Sequence, residues 1–186
     1  LKPFYRSSTN MVDFDDVMHL KNEIFKRAWV NFKKNRKHFL WKQFKEFVSA
    51  EDFWLNDFAL FLTIKQQQQA KPWFQWPDEL KNREQHALKT VLNENKDAIE
   101  KEKFLQFIFQ KQWLTLKAYC NGRGIEIIGD LPIYVSYDSA DVWSNKEIFS
   151  IDAEGRLLAV AGTPPDAFSA EGQLWGMPVY NWEILK

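Results

Sequence analysis

The sequence lacks the features that mark several common classes of protein. It holds one cysteine, Cys120, so no disulfide can form within the chain, which fits a reducing compartment such as the cytoplasm. Its 25 basic and 25 acidic side chains cancel, which removes the electrostatic basis for binding nucleic acid or an anionic membrane. No apolar run approaches the roughly 18–20 residues of a membrane-spanning helix. We therefore expect a cytoplasmic protein that binds neither nucleic acid nor membrane.

Residues suited to metal or cofactor chemistry are also sparse. The histidines, His19, His38 and His86, lie apart from one another with no paired ligand spacing, so no metal site is expected. The glycine-containing stretch NGRGIEIIG ends a predicted helix instead of opening one, so it does not have the pattern of a phosphate-binding loop. The sequence predicts no metal and no cofactor.

Both ends of the chain are unusual. The start, LKPFYRSSTN, has neither an initiator methionine nor the apolar core of a secretory signal. The end, GTPPDAFSAEGQLWGMPVYNWEILK, is rich in proline, glycine and aromatic residues, which is typical of a loop that a larger scaffold presents. These features predict a fragment of a longer protein.

Hydrophobic periodicity predicts helices throughout residues 13–121. The first and second predicted helices each carry an apolar stripe. The stretch SAED at 49–52 has capping-box spacing and precedes a third helix, which is apolar on nearly every side. A long final helix ends at the glycines of NGRG, 121–124. The predicted apolar faces comprise Val17, Leu20, Ile24, Ala28 and Phe32 in the first helix, Leu40, Phe44 and Phe47 in the second, and Leu105, Ile108, Phe109, Gln112, Leu116 and Tyr119 in the last.

The pattern changes after Gly124. The run IEIIG, rich in β-branched residues, follows a helix and a glycine turn, an order that predicts a strand of a parallel sheet in an α/β fold. One parallel strand cannot form a sheet alone, so its neighbours are expected outside this chain. The later stretch IFSIDAEGRLLAVAG predicts two short strands around a turn at residues 153–155.

Two aspartates follow this predicted strand. Asp130 comes directly after the strand, where α/β proteins carry their chemistry, although a turn-capping role is an equal alternative. In DSADVW, Asp138 or Ser139 is positioned to cap a short helix, so a structural role is favoured there.

The stretch TPPDAFSAEGQLWG predicts a binding loop. Its two prolines lack backbone N–H groups, so the residues leading to Asp166 cannot form a regular hydrogen-bonded element. Further along, the side chains of Gln173 and Trp175 would point to the same side of an extended segment. An indole that stacks beside an amide that hydrogen-bonds suits a sugar subsite. The alternative is an Ω-loop packed by its own aromatic residues.

Two long motifs carry a family resemblance. GIEIIGDLPIYVSYDSADVWSNKEIF and VAGTPPDAFSAEGQLWGMPVYNWE resemble the 4-α-glucanotransferases called amylomaltases or disproportionating enzymes, glycoside hydrolase family 77. The helical half is similar in looser form. The resemblance implies a partial (β/α)8 TIM barrel, with a mainly α-helical insertion subdomain at 1–121 and a barrel segment at 122–186.

The resemblance also implies an activity. These enzymes cut an α-1,4-glucan and transfer the fragment to another maltooligosaccharide through a covalent glycosyl-enzyme. Asp130 would support the active site, and the glucose units would contact Asp166, Gln173 and Trp175. The nucleophilic Asp and the acid/base Glu would follow the position matching Lys186, so no catalytic residue is expected here and the isolated chain should be inactive.

Two departures and two alternatives accompany this interpretation. Ala167 stands where many members of the family have Tyr or a similar large residue, and Met177 where Asn is common, so we expect individual subsite contacts to differ from theirs. The main alternative is a non-catalytic α-glucan-binding or interaction domain. A self-sufficient hydrolase that uses Asp130 with Asp138 or Asp166 is disfavoured, because the sequence identifies no acid partner with a raised pKa.

Overall fold

The computed structural model describes residues 11–185 and is mainly helical, as the periodicity predicted. Its helices are α1 (Phe14–Lys34), α2 (Phe39–Ala50), α3 (Asp52–Gln67), α4 (Asp78–Lys81), α5 (Gln85–Glu94), α6 (Lys96–Asn121) and α7 (Ala140–Ser144), with 3-10 turns at Trp73–Gln75 and Lys146–Ile148. The described residues divide into two compact units, with the boundary between Ser49 and Ala50.

The first unit contains α1 and most of α2. The Asp13 carboxylate caps α1 by accepting two N–H groups of its first turn at 3.1 Å. Trp29 is buried and its ring lies 6.3 Å from that of Phe44, which is also buried. The predicted stripe on α1 is confirmed only in part: Val17, Ile24 and Phe32 are partly buried. The stripe included Leu20, which is exposed, and omitted the buried Trp29.

The predicted capping box at SAED does not form. Ser49 lies within α2, which continues to Ala50, so Ser49 lacks the extended backbone that a capping residue needs. The residue before α3 is Glu51, and its carboxylate accepts a hydrogen bond from the Trp54 indole at 2.6 Å instead of capping the backbone.

The second unit has an aromatic core around α3. The prediction that α3 is buried on most sides is confirmed, since Leu55, Ala59 and Ile64 are fully buried. The core cluster consists of Ala59, Leu60, Phe61, Ile64, Trp73, Trp76, Leu80, Ala87, Val91, Ile99, Val142, Trp143 and Phe149. Residues before and after position 121 share this core, so the predicted boundary between 1–121 and 122–186 does not separate two compact units; as a division of the parent fold it stays a prediction.

The long helix α6 buries only its first half. Ile99, Phe104 and Phe107 are buried, whereas all residues from 111 to 119 are exposed. The apolar face predicted for this helix is therefore largely uncovered. The predicted glycine termination is confirmed: Gly124 takes φ +72°, and the Ile125 N–H reaches the Cys120 carbonyl at 3.1 Å.

The strand predicted at IEIIG was wrong for this chain. Residues 125–130 have no regular secondary structure, and Ile128 is 92% exposed. A strand requires a neighbouring backbone to receive its N–H and C=O groups, and no segment among residues 11–185 pairs with this one.

A two-stranded antiparallel sheet forms further along the chain. The strands are β1 (Val160–Thr163) and β2 (Gln173–Pro178), with Thr163 opposite Gln173. The turn predicted at 153–155 is present, but only one isolated bridge, between Ile151 and Leu157, closes it. The predicted hairpin is therefore shorter than expected, and β1 pairs with a later segment.

Gly162 allows β1 and β2 to approach closely. A Cβ atom there would lie 2.4 Å from the backbone oxygen of Gln173. We expect Gly162→Ala to destabilise the chain by about 1–3 kcal/mol, because the two backbones must separate. Urea unfolding followed by circular dichroism measures this. The control is Gly129→Ala, whose Cβ would meet no atom within 4 Å, and equal losses for both variants would contradict the prediction.

Candidate functional site

The predicted Gln173 and Trp175 pair lies on β2. The Trp175 indole N–H donates to the Gln173 side-chain oxygen at 3.1 Å, so both side chains point to the same side, as the strand alternation predicted. The Trp175 side chain is 45% exposed. The pair thus presents an accessible indole whose N–H is already held by an amide.

The loop between β1 and β2 is built around Asp166. The Asp166 carboxylate accepts the N–H groups of Phe168 and Ser169, both at 2.8 Å. The Ser169 hydroxyl then donates to the carbonyl of Gly172, which takes φ +77°. These local bonds fix the loop, whereas aromatic packing does not, since Phe168 is 95% exposed at its tip. The sequence interpretation did not single out Phe168 as an exposed aromatic residue.

Asp130 lies in the irregular segment that follows α6, and it is exposed. Four residues later, the Tyr134 ring makes an edge-on contact with Trp175, with the ring centroids 6.0 Å apart. This contact joins the segment that carries Asp130 to β2. The sequence interpretation missed Tyr134, because nothing in the run GDLPIYV indicates that this side chain contacts a strand about 40 residues further along the chain.

Asp138 has the structural role that the sequence favoured. Its carboxylate forms an ion pair with Lys65 and accepts the backbone N–H of Trp73 at 3.2 Å. The adjacent Ser139 caps α7 through a hydrogen bond from the Val142 N–H at 3.3 Å. Asp138 therefore links α3 and the loop after it to the segment before α7. These partners are structural, and none of them is Asp130.

Tyr137 connects the loop after α3 with the turn at 152–156. Its ring stacks on Phe74 with 4.4 Å between centroids, and its hydroxyl donates to the Gly155 carbonyl. Burial raises the pKa of the Tyr137 hydroxyl, and the nearby Asp152 charge raises it further. Hydrogen bonds from the Arg156 backbone and side chain lower the pKa of Asp152, so that carboxylate stays ionised and holds the turn.

The Lys146 ammonium is a third group whose pKa is shifted. Its Nζ donates to the Lys81 carbonyl at 2.7 Å, beside the core. Burial lowers the pKa of Lys146, and the Lys81 and Arg83 charges lower it further. These contacts tie the 3-10 turn at Lys146–Ile148 to the end of α4, which is a structural function.

The described residues show neither a metal cluster nor a spanning helix. Among residues 11–185, no group of three or more His, Cys, Asp or Glu side chains is placed to hold a metal ion. Within the same range, no helix combines the length and the apolar character that crossing a bilayer requires. What the site offers is exposed aromatic surface beside carboxylate and amide groups, which suits binding of a polyhydroxylated ligand.

Comparison with known proteins gives one consistent result. A family model described as 4-alpha-glucanotransferase matches residues 4–186. The chain is 46% identical over 170 residues to the 4-alpha-glucanotransferase of Aquifex aeolicus, covering 91% of this chain and 34% of that protein. It is 40% identical over 175 residues to the enzyme of Thermus thermophilus, covering 94% and 35%.

A solved structure is similar as well. The amylomaltase from Streptococcus agalactiae in complex with acarbose matches with a TM-score of 0.85 and 39% identity, over 92% of this chain and 34% of that one. The chain thus spans about a third of the length of the relatives that it matches. The resemblance drawn from the two C-terminal motifs is confirmed, and the chain belongs to the 4-alpha-glucanotransferase family.

Proposed function

We propose that this chain is a segment of a 4-α-glucanotransferase that moves α-1,4-glucan segments between maltooligosaccharides by a retaining double displacement. The observation that carries the proposal is the Gln173 and Trp175 pair, because an exposed indole held at a fixed angle can stack on a glucose ring. Family membership, and likeness to an amylomaltase that binds acarbose, support an oligosaccharide ligand. With a single cysteine and no possible internal disulfide, the chain fits the cytoplasm.

Residues 122–186 would form part of a (β/α)8 barrel, and residues 1–121 a mainly helical insertion. Exposed apolar side chains in the segment after α6, Ile128 and Leu131 among them, support this arrangement. Exposed apolar side chains concentrated in one segment in this way are usually covered by a neighbouring element. In the longer protein, further barrel strands would pair with residues 125–129 and cover the exposed half of α6.

The chemistry would be shared between this segment and later ones. A retaining mechanism needs a nucleophilic carboxylate and an acid/base carboxyl about 5–5.5 Å apart. Both would come from later barrel strands, so the residues here bind and orient. Asp130 would support the active site, while Gln173, Trp175 and the loop that Asp166 shapes would hold the acceptor glucose units. Ala167 leaves Phe168 as the aromatic side chain at the loop tip.

The test uses the full-length protein that carries this segment. We expect it to convert maltotriose to glucose and longer oligosaccharides, and we expect Trp175→Ala to weaken maltoheptaose binding about tenfold in calorimetry. Phe53→Ala is the control, because Phe53 is an aromatic residue that is 79% exposed in the first turn of α3, outside the proposed site. The 186-residue chain alone should show no transfer.

Three outcomes separate the possible functions. Transfer by the isolated chain would overturn the assignment of the catalytic pair to later segments. Glucan binding without transfer in the full-length protein would identify a non-catalytic glucan-binding domain. Full-length protein that neither binds maltoheptaose nor disproportionates maltotriose would overturn the proposal.

A further inference from the structure

A row of aromatic rings connects the exposed Trp175 to the core. Tyr134 contacts Trp175 on one side and stacks on Tyr180 on the other, with centroids 6.5 Å apart and planes inclined by 16°. Tyr180 in turn stacks on Phe149 at 5.2 Å. Phe149 is 3% exposed and belongs to the core cluster. The indole is therefore fixed through consecutive ring contacts.

Two contacts together set the direction of the Trp175 indole. The hydrogen bond to Gln173 lies along the indole N–H and restrains rotation of the ring, while the edge-on contact with Tyr134 restrains its tilt. A tryptophan side chain has two rotatable torsions, so two restraints from different directions suffice to select one orientation. A platform held in its binding orientation loses less conformational entropy when a ligand stacks on it.

Tyr134 is not required to fill the core. The partly buried side chains that pack against the core cluster include Val135 and Tyr180, whereas Tyr134 is absent from this set. The stacking of Tyr180 on Phe149 is a separate contact that does not involve the Tyr134 ring. The Tyr134 ring therefore packs against two aromatic neighbours, Tyr180 and the exposed Trp175 indole.

We infer that Tyr134 is a positioning residue that holds the Trp175 indole in the plane that receives an acceptor glucose ring. This inference rests on the proposed function, since it assumes that Trp175 contacts glucan. It assigns to Tyr134 an effect on acceptor binding that passes through Trp175, and it assigns no part in bond breaking.

The experiment measures acceptor kinetics in the full-length protein, with maltose varied at a fixed maltoheptaose concentration. Tyr134→Leu should raise the acceptor KM about fivefold to tenfold and change kcat less than twofold, whereas Tyr134→Phe, which keeps the ring, should restore the KM. In a Trp175→Ala background, Tyr134→Leu should add no further increase, because its effect acts through the indole. Tyr134→Met, which keeps apolar volume without a ring, serves if the Leu variant fails to fold.

The outcomes distinguish this inference from the proposed function. If Trp175→Ala leaves the acceptor KM unchanged, the assignment of Trp175 in the proposed function fails. If Trp175→Ala raises the KM but Tyr134→Leu and Tyr134→Met do not, or if the effects multiply in the double variant, the positioning role is overturned. Phe53→Leu is the control, since this exposed ring lies in the first turn of α3, outside the proposed site. An equal KM increase there would also overturn the role.

Discussion

Asp130→Asn in the full-length protein should lower kcat/KM for maltotriose by roughly 100-fold or more, in line with the loss of one preorganised charged group in an active site. The substitution removes the carboxylate charge and keeps the shape. Asp130 is four residues before Tyr134, whose ring contacts Trp175, so the segment that holds the carboxylate also reaches the proposed acceptor site. Initial rates of glucose release measure the effect.

Asp141→Asn is the matched control for this variant. Asp141 is an exposed carboxylate in the first turn of α7, and it has no place in the proposed site. A protein that kept near-normal kcat/KM after Asp130→Asn would exclude the role assigned to Asp130. Equal losses in both variants would indicate a general effect of charge on stability.

Trp143→Ala should destabilise the chain by about 3–5 kcal/mol, the range found when a large buried aromatic side chain is removed. Trp143 is fully buried, its indole N–H donates to the Leu80 carbonyl at 3.0 Å, and the Arg83 guanidinium lies 4.2 Å from its ring centroid. Truncation leaves a cavity and removes the indole's hydrogen bond to the Leu80 carbonyl, which still accepts the Arg83 backbone N–H. The urea midpoint, followed by circular dichroism, reports the loss.

Trp182→Ala provides the comparison for this second variant. Trp182 is 62% exposed, so its truncation should cost less than about 1 kcal/mol. A loss below about 1 kcal/mol for Trp143→Ala would contradict the structure's placement of Trp143 in the core. Such a result would also mean that residues 137–149 do not pack with the helices.

Patterns within a few residues were predictable from the sequence. Helix positions followed from apolar periodicity, the end of α6 followed from its glycines, and the shared direction of Gln173 and Trp175 followed from strand alternation. The role of Ser139 as a helix cap was equally local. Each of these depends on backbone geometry that neighbouring residues alone define.

Burial and pairing were less predictable. The face of α6 that looked like core is largely exposed, and residues 125–130 remain unpaired despite their strong β-propensity. Both results depend on whether another segment lies alongside, because side chains are buried and strands hydrogen-bonded only by a partner. A segment's propensity indicates which secondary structure it can form, and the presence of a neighbouring segment determines whether that structure forms.

By itself, the sequence determined the helical half, the termination of α6, the Gln173 and Trp175 pair, and the family. Only the tertiary structure decided that Asp138 pairs with Lys65, 73 residues away, and that Tyr134 connects Trp175 to the core. The physical reason is the range of the interactions. Helical and strand periodicities are set by adjacent residues, whereas an ion pair or a ring contact exists only when folding brings distant segments together.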